Sequence, residues 1–377
     1  MSVLFSPFQQ RDITLRNRTV VSPMCQYMAK HGLVNDWHLV NLGRFALGGF
    51  GAVMVEATAV SPEGRISYGD VGIWTDKQAT ALSRIAIFLK KNGAVPGIQI
   101  SHAGRKASTP LWWRGTFNET EAEKLEVGFE LWKPVGPSAL PHLASPEFQT
   151  PTALDAAGIK QVVDDFAAAF KRADAAGFEV AEIHAAHGYL LNQFLSTVSN
   201  TRTDKYGGSR ANRMRLLLEV VEAARANWPP NKPLWVRISV VDGKDGWTVE
   251  DSLTLAPELK ARGVDLIDCT TGGFDGTSLK PAAHYQVPMA AALRKAGLPV
   301  AAVGLIQDPL AAEAILQAGE VDLIALARGA LEDPNWPVHA QHVLDKSEAA
   351  YKLWPEQVSG RIRDKDRALG WRGFANV

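Results

Sequence analysis

The chain alternates short apolar runs with longer amphipathic segments from near its N-terminus to about residue 345. Eight of these runs have the length and composition of buried strands: 20–21, 51–57, 96–100, 178–184, 234–238, 264–269, 300–304 and 321–327. Nearly continuous apolar strands are typical of parallel sheets whose faces are covered by helices. Eight strand–helix repeats predict an α/β protein with a single (β/α)8 barrel, the TIM barrel, rather than two doubly wound halves.

Helical periodicity is clearest in two of the intervening segments. In 155–177, apolar residues recur three and four positions apart, and Thr152 with Asp155 suggests an N-terminal cap. Segment 210–228 repeats the pattern and ends just before a Pro-Pro pair. We expect helices to stop at glycines that stand just ahead of strands, namely Gly93, Gly177, Gly263, Gly297 and Gly319.

Three segments fall outside the repeat. Residues 103–150 follow the third strand and are far longer than an ordinary connection; because they carry Trp112, Trp113, Trp132 and several prolines, we expect them to cap one end of the barrel. Residues 187–209 form a second long insertion after strand four. The domain prediction is therefore a barrel over 1–345, with 103–150 as its capping insertion, and a C-terminal tail over 346–377.

Composition excludes several classes of protein. The 40 Lys and Arg balance the 40 Asp and Glu, which argues against nucleic acid or an anionic membrane as the main partner. No apolar run is long enough to span a bilayer, and the N-terminus does not resemble a signal peptide. Cys25 and Cys269 are the only cysteines and neither lies in a CxxC pair, so we expect a cytoplasmic protein without a structural metal.

Polar side chains stand at the C-terminal ends of the predicted strands. In TIM barrels these ends and the loops after them form the active site. Any one polar residue there has an ordinary explanation as a strand cap at the surface, but together they predict one polar site in the barrel mouth. The residues at these strand ends are Cys25, Glu56, Ala57, Gln99, His102, His184, His187, Arg237, Cys269, Thr270, Gly304, Ala327 and Arg328.

The segment His184-Ala185-Ala186-His187, with Tyr189 two residues later, is the most informative local cluster. Two neighbouring imidazoles can bind a metal or donate hydrogen bonds to an oxygen that becomes negative during a reaction. A nearby phenol can supply a proton. Metal binding would need a third ligand, which His102 could supply, so a metal-dependent hydrolase is an alternative. The pair could also be purely structural.

Arg237 and Gln99 suggest a ligand with anionic and amide-like groups. A guanidinium at the end of an apolar strand must meet an anion or several acceptors, either in a ligand or in a structural ion pair. Gln99 offers a donor and an acceptor, which suits a ring with alternating N–H and C=O edges. The small residues at Gly304 and in the Ala327-Arg328-Gly329 turn end strands seven and eight, where many barrels bind phosphate. These features predict a phosphorylated cofactor across the mouth.

Five motifs together resemble the old yellow enzyme family, flavin-dependent reductases on a (β/α)8 barrel, and are most similar to its thermophilic-like subgroup, which includes bacterial xenobiotic reductases. They occur in the family's order: 22–27 (SPMCQY), 55–60 (VEATAV), 98–106 (IQISHAGRK), 183–190 (IHAAHGYL) and 200–209 (NTRTDKYGGS). The resemblance extends over about residues 1–340.

The resemblance implies a non-covalently bound FMN that NADPH or NADH reduces. Its ring would lie against Pro23, Met24, Cys25 and Ala57, with Gln99 on its pyrimidine edge and Arg237 facing its N1/O2 region. The remaining residues that the resemblance places at the cofactor, beside its phosphate or at the end of strand seven, are Ala302, Val303, Gly304, Ala327 and Arg328. Cys25 could tune the cofactor electronically, or be no more than a small buried hydrophobe.

The resemblance also implies a reaction. His184 and His187 would hold the carbonyl or nitro oxygen of an electron-poor alkene or nitro compound, and Tyr27 would help to position it. Hydride would pass from flavin N5 to the activated C=C bond while Tyr189 delivers the proton. The expected assembly is a homodimer or homotetramer, in which Trp371 or Arg372 of the tail reaches into a neighbouring subunit's site.

Overall fold

The computed structural model describes residues 2–111, 113, 131–143, 148–243, 245–274 and 280–370. The strands are β1 Phe8–Gln10, β2 Ile13–Leu15, β3 Thr19–Val21, β4 Ala52–Ala59, β5 Val95–Ser101, β6 Val135–Gly136, β7 Thr152–Ala153, β8 Val180–Ala185, β9 Leu234–Ser239, β10 Leu266–Thr270, β11 Val300–Ala302 and β12 Leu323–Leu326. The α-helices are α1 Asp36–Leu47, α2 Asp76–Lys91, α3 Ala156–Ala175, α4 Leu190–Leu195, α5 Arg210–Asn227, α6 Val249–Ala261, α7 Val287–Arg294, α8 Pro309–Gln317, α9 Arg328–Glu332, α10 Trp336–Leu344 and α11 Glu356–Ala368. Two 3₁₀ helices span Gly104–Lys106 and Glu348–Leu353.

Eight strands close into one barrel. Their order around it is β3, β4, β5, β8, β9, β10, β11, β12 and back to β3, and every neighbouring pair is parallel. Each of the eight predicted apolar runs overlaps one of these strands. The prediction of a (β/α)8 barrel is therefore confirmed.

Side-chain alternation builds the barrel interior in layers. Residues two apart on a strand share a face, so Val180, Glu182 and His184 follow one another upward along β8, from an apolar lower layer to a polar mouth. Trp235 of β9 and other apolar side chains fill the lower layer. The hairpin β1–β2 closes the N-terminal end, where Trp235 Nε1 donates to Gln10 Oε1 at 2.7 Å. This hairpin was not predicted from the sequence.

Helix ends agree with the sequence in one respect and differ in another. All five glycines expected to stop helices have positive φ, between 67° and 94°. The cap of α3 differs, because Thr152 lies in β7 and Asp155 is itself the N-cap, its side chain accepting from the Gly158 N–H at 2.8 Å. Asp155 needs no partner upstream, since a carboxylate alone satisfies one of the exposed N–H groups of the first turn.

The insertion after β5 lies beside the barrel mouth in its described parts. Its strand β6 pairs in parallel with β7, Trp132 Nε1 donates to the Glu63 carbonyl at 2.9 Å, and the Trp113 ring lies 6.0 Å from the Tyr27 ring. Trp112 is outside the described residues. In the tail, the helix α11 packs back through a hydrogen bond from Tyr351 to Asp366. None of the described helices combines the length and apolar character that crossing a membrane requires.

Candidate active site

Two cavities open at the C-terminal ends of the barrel strands, and Arg237 lines both. The larger one measures about 310 Å³. Nine residues proposed from the sequence line it: Pro23, Cys25, Tyr27, Ala57, Gln99, His184, His187, Tyr189 and Arg237. The strand ends of β4, β5, β8 and β9, and the loop after β3, thus bring nine predicted residues to one place.

His184 and Tyr189 form the centre of this cavity wall. Their rings lie 5.0 Å apart with planes at 72°, and the His184 and His187 rings lie 5.3 Å apart at 89°. His184 Nδ1 accepts the Ala186 backbone N–H at 3.3 Å. An imidazole whose Nδ1 accepts carries its proton on Nε2, so Nε2 of His184 is a donor available to a ligand.

The ring of His187 is oriented by neighbouring strands. Its Nε2 lies 3.0 Å from Thr270 Oγ1 at the end of β10, and its backbone N–H donates to Ser239 Oγ at 2.9 Å. Its carbonyl accepts from Lys106 Nζ, which also lies 4.9 Å from the centre of the Tyr189 ring. The left-handed backbone of His187, with φ of 57°, is therefore fixed at three points.

Burial sets the protonation states of these groups. It depresses the pKa of both imidazoles well below the ordinary value, and the charges of Arg237 and Lys106 depress both further. Burial raises the pKa of the Tyr189 phenol well above its ordinary value, with the buried Cys25 and Asp70 adding to the shift. At neutral pH the cavity therefore presents neutral imidazoles and a protonated phenol, which are hydrogen-bond and proton donors without net charge.

The loop after β3 presents Cys25 and Tyr27 to the cavity. Burial raises the pKa of the Cys25 thiol well above its ordinary value, although Ala57 and Tyr27 oppose the shift, so the thiol stays protonated. Tyr27 has a φ of 53°. Gly69 packs so tightly on it that a Cβ there would come within 2.2 Å of the Tyr27 carbonyl oxygen. Close packing thus holds this strained turn.

Glu56 holds the same loop from beneath. One carboxyl oxygen accepts the Gln26 backbone N–H at 2.9 Å, and the other lies 3.9 Å from His38 Nε2. Burial raises the pKa of Glu56 to about 8, and it lowers the pKa of His38 to about 4. Near neutrality both groups are largely uncharged, and the contact is not a salt bridge.

Replacing Glu56 with glutamine should make folding stability less dependent on pH. Since the folded pKa of Glu56 is raised, its ionisation lowers the wild-type free energy of unfolding as pH rises from about 4 to about 8. Glutamine can still accept the Gln26 N–H but cannot ionise. We expect the variant to gain on the order of 3 kcal/mol relative to wild type between pH 4.5 and 8, measured by urea unfolding. A difference that is constant over this range would contradict the assignment.

A wholly buried polar layer lies directly below the mouth. Gln99 Nε2 donates to Glu182 Oε1 at 2.7 Å, so the amide of Gln99 turns its carbonyl oxygen away from Glu182. Arg237 Nε lies 3.3 Å from Asp268 Oδ2, in a geometry that leaves Nε without a hydrogen bond to any described residue. Glu182 and Asp268 were not among the predicted site residues, although a charged residue in an apolar strand two positions before His184 is a usable signal.

The smaller cavity, of about 130 Å³, lies between the ends of β9, β10, β11 and β12. It is lined by Arg237, Thr270, Tyr285, Gln286, Val303, Gly304, Leu305, Ile306, Gln307, Ala325, Leu326, Ala327, Arg328 and Gly329. Gly304 has φ of 132°, and a Cβ there would lie 3.2 Å from the Tyr285 ring, so only glycine leaves this wall open. Tyr285 and Gln286 follow a long connection after β10 and carried no sequence signal.

Five of the strand-end and cofactor residues proposed from the sequence line neither cavity: Met24, Glu56, His102, Cys269 and Ala302. Ala302 lies in the core between barrel and helices, because it faces the opposite side of β11 from the cavity residue Val303. Met24 also packs against that outer core. His102 is buried near Gly64 and its Nδ1 accepts the Gly104 N–H. The placement of Met24 and Ala302 at the cofactor therefore stays a prediction, without support from the lining of either cavity.

The position of His102 also bears on the alternative of a metal-dependent hydrolase, which needs His102 as its third metal ligand. His102 does not join His184 and His187 in the cavity. Within the part of the chain that the structure describes, no three His, Cys, Asp or Glu side chains are grouped so that they could hold a metal ion. The histidine pair instead shares its cavity with Cys25 and Ala57.

Several known proteins are similar to this chain in sequence and fold. The family model of the NADH:flavin oxidoreductase / NADH oxidase family matches residues 3–347. An NADPH dehydrogenase of Geobacillus sp. (strain WCH70) is 42% identical over 343 residues, covering 90% of this chain and 94% of the relative. Morphinone reductase superimposes with a TM-score of 0.75 at 26% identity, covering 93% and 92% of the two chains. An old yellow enzyme homologue from Zymomonas mobilis gives 0.72 at 26% identity, covering 89% and 91%.

The closed (β/α)8 barrel and these relatives together identify the chain as a flavin-dependent oxidoreductase. The chain belongs to the NADH:flavin oxidoreductase / NADH oxidase family and is an FMN-dependent NADPH oxidoreductase of the old yellow enzyme type. The predictions of the family, the enzyme class and FMN with NAD(P)H as the cofactor pair are confirmed.

The cavities suit FMN in their unsatisfied polar atoms. Arg237 Nε and Gln286 Oε1 are buried and make no hydrogen bond to a described residue. FMN carries ring acceptors that a guanidinium can meet and ribityl hydroxyls that an amide oxygen can accept from. The open wall at Gly304 lets backbone N–H groups approach a phosphate.

Proposed function

We propose that this enzyme reduces the activated C=C bond of α,β-unsaturated carbonyl or nitro compounds. The observation that carries the proposal is the pairing of two neutral donors, His184 and Tyr189, in the cavity that Cys25 and Ala57 also line. An acceptor bound in this cavity would meet a hydrogen-bond donor at its oxygen and a phenol at its carbon.

The proposed cofactor contacts follow the two cavities. Pro23, Cys25 and Ala57 would lie against the isoalloxazine, the Gln99 carbonyl oxygen would accept from its pyrimidine edge, and Arg237 would face N1 and O2. Val303, Gly304, Ala327 and Arg328, together with Gln286, would hold the ribityl phosphate. When bound, FMN supplies two-electron transfer from NAD(P)H to the acceptor.

The residues of the chain would divide the remaining work. His184 Nε2–H, and His187 as oriented by Thr270, donate to the carbonyl or nitro oxygen and stabilise the negative charge that develops there. Tyr27 helps to position the acceptor. Tyr189 holds its proton until the adjacent carbon becomes basic, and then delivers it from Oη.

The test is an anaerobic two-step titration. The yellow protein should bleach on adding NADPH and regain its colour when cyclohexenone is added in the absence of oxygen. Bleaching without recolouring by cyclohexenone, maleimide or a nitroalkene would contradict the proposed function while leaving the cofactor assignment intact.

Replacing Cys25 with alanine should lower the flavin potential without releasing FMN. Cys25 lines the cavity and burial keeps its thiol protonated, so its S–H can donate toward the ring, and a donor stabilises the more electron-rich reduced ring. We expect reduced FMN to be bound about threefold less tightly relative to oxidised FMN, or ~15 mV, by spectroelectrochemical titration. An unchanged potential would make Cys25 a packing residue only.

We propose further that the enzyme works as a homodimer or homotetramer in which the tail completes a neighbour's site. Trp371 and Arg372, which the sequence analysis proposed for that role, lie outside the described residues. Light scattering of the full chain and of a chain ending at residue 370 would test this. If the shorter chain assembles and its KM for the acceptor equals that of the full chain, the tail has no role in the neighbouring site.

A further inference from the structure

The barrel interior contains two carboxyl groups and one cation in a layer without solvent. Glu182 on β8, Arg237 on β9 and Asp268 on β10 are each at most 5% exposed. These strands are adjacent, with Arg237 paired in register to Asp268 on one side and to His184 on the other. The side chains therefore form one cluster between the apolar lower layer and the mouth.

The contacts within the cluster are incomplete for two ionised carboxylates. Glu182 Oε1 accepts from Gln99 and Asp268 Oδ2 faces Arg237. Glu182 Oε2 and Asp268 Oδ1 are buried, and no described donor reaches them. The two carboxyl groups are close enough to perturb one another directly, and two carboxyl groups can share a hydrogen bond only if one of them is protonated.

We propose that Glu182 and Asp268 hold one proton between them, so that the layer carries a single negative charge opposite Arg237 and is electrically neutral. Both are positioning residues. Glu182 accepts from the Gln99 amide nitrogen and so orients the amide oxygen of Gln99 toward the mouth. Asp268 holds the Arg237 guanidinium beneath the mouth. Either carboxyl group can carry the negative charge. In both cases one negative charge compensates the positive charge of Arg237 below the proposed flavin site.

The surroundings support a retained proton. The described groups that contact the pair are Gln99 on β5 and Arg237 on β9. Burial raises the pKa of Glu182 well above its ordinary value, and the Asp268 charge raises it further, while Arg237 opposes the shift. Burial likewise raises the pKa of Asp268. Two ionised carboxylates beside one guanidinium would leave an uncompensated buried charge, which is very costly.

The first test is infrared spectroscopy of the full-length protein at pH 9, where Glu56 and Asp70, with pKa values of about 8 and 7, are mostly ionised. We expect a protonated-carboxyl stretch that shifts in deuterated buffer and disappears in Glu182→Gln. The control, Glu56→Gln, should keep it. A spectrum without this band at pH 9, or a band that survives in Glu182→Gln, would overturn the proposal. This arm does not depend on the function proposed for the mouth.

The second test uses the reduction potential of bound FMN to determine how many of the carboxyl groups of Glu182 and Asp268 are ionised. It rests on the proposed position of Arg237 beside the flavin ring. Glu182→Gln and Asp268→Asn each leave one carboxyl group to ionise, so each should change the ratio of affinities for reduced and oxidised FMN by less than about twofold. The double variant leaves Arg237 unbalanced and should raise that ratio about tenfold, ~30 mV for a two-electron couple. A rise of that size in either single variant would show two negative charges and overturn the proposal.

Discussion

Replacing Tyr189 with phenylalanine should slow the reoxidation of the reduced enzyme by an enone on the order of 10²–10⁴-fold, the range that a positioned proton donor contributes. The effect should be confined to that half-reaction. Reduction by NADPH needs no proton from Tyr189, and the phenyl ring keeps the 5.0 Å packing against His184. Anaerobic stopped-flow absorbance measures the two steps separately.

The matched control for this variant is Tyr206→Phe. The Tyr206 hydroxyl donates to Glu219 at 3.0 Å, outside the cavities described above, so both half-reactions should remain as in wild type. Equal slowing of both half-reactions in Tyr189→Phe would contradict the proton-donor role, since it would indicate a disturbed flavin site instead.

Replacing His184 with alanine should slow enone reduction by about 10²–10³-fold, because it removes a preorganised donor aimed at the developing oxyanion. The substitution should also weaken the binding of a para-substituted phenol, because the bound phenolate mimics that charge. The absorbance change on titration with the phenol measures this affinity. Because burial and Arg237 keep the imidazole neutral, neither effect should arise from its titration between pH 6 and 9. His342→Gln, which keeps an acceptor for Trp354 Nε1, is the control.

Unchanged phenol affinity in His184→Ala would contradict the assignment. Retained affinity together with slow turnover would place the loss in the geometry of the acceptor rather than in charge stabilisation. The Tyr189 and His184 variants are therefore separable, because only His184 should affect the binding of an anion in the absence of catalysis.

The barrel could be predicted from sequence because its signals are local. Eight apolar runs and the glycines after the helices specify strands and stops within a few residues, and strand ends in a barrel converge by topology. The hairpin β1–β2 was missed because three-residue strands carry too little periodicity, and the cap at Asp155 was displaced because Thr152 was recruited into β7.

The site was predictable where one strand end carries one polar residue, as at His184 and Arg237. Met24 and Ala302 line neither cavity, and motif membership alone does not tell which face of the backbone a side chain takes. Gln286 was missed since its approach to the mouth depends on a long connection, and Glu182 because its partner Asp268 is distant in sequence.

A crystal structure of the yellow enzyme with a phenol bound tests the central claim most directly. The account predicts the isoalloxazine across the larger cavity, with Gln99 and Arg237 at about 2.7–3.2 Å from its pyrimidine edge and the phenol oxygen on His184 Nε2. A flavin bound elsewhere, with Gln99 and Arg237 contacting only Glu182 and Asp268, would contradict it.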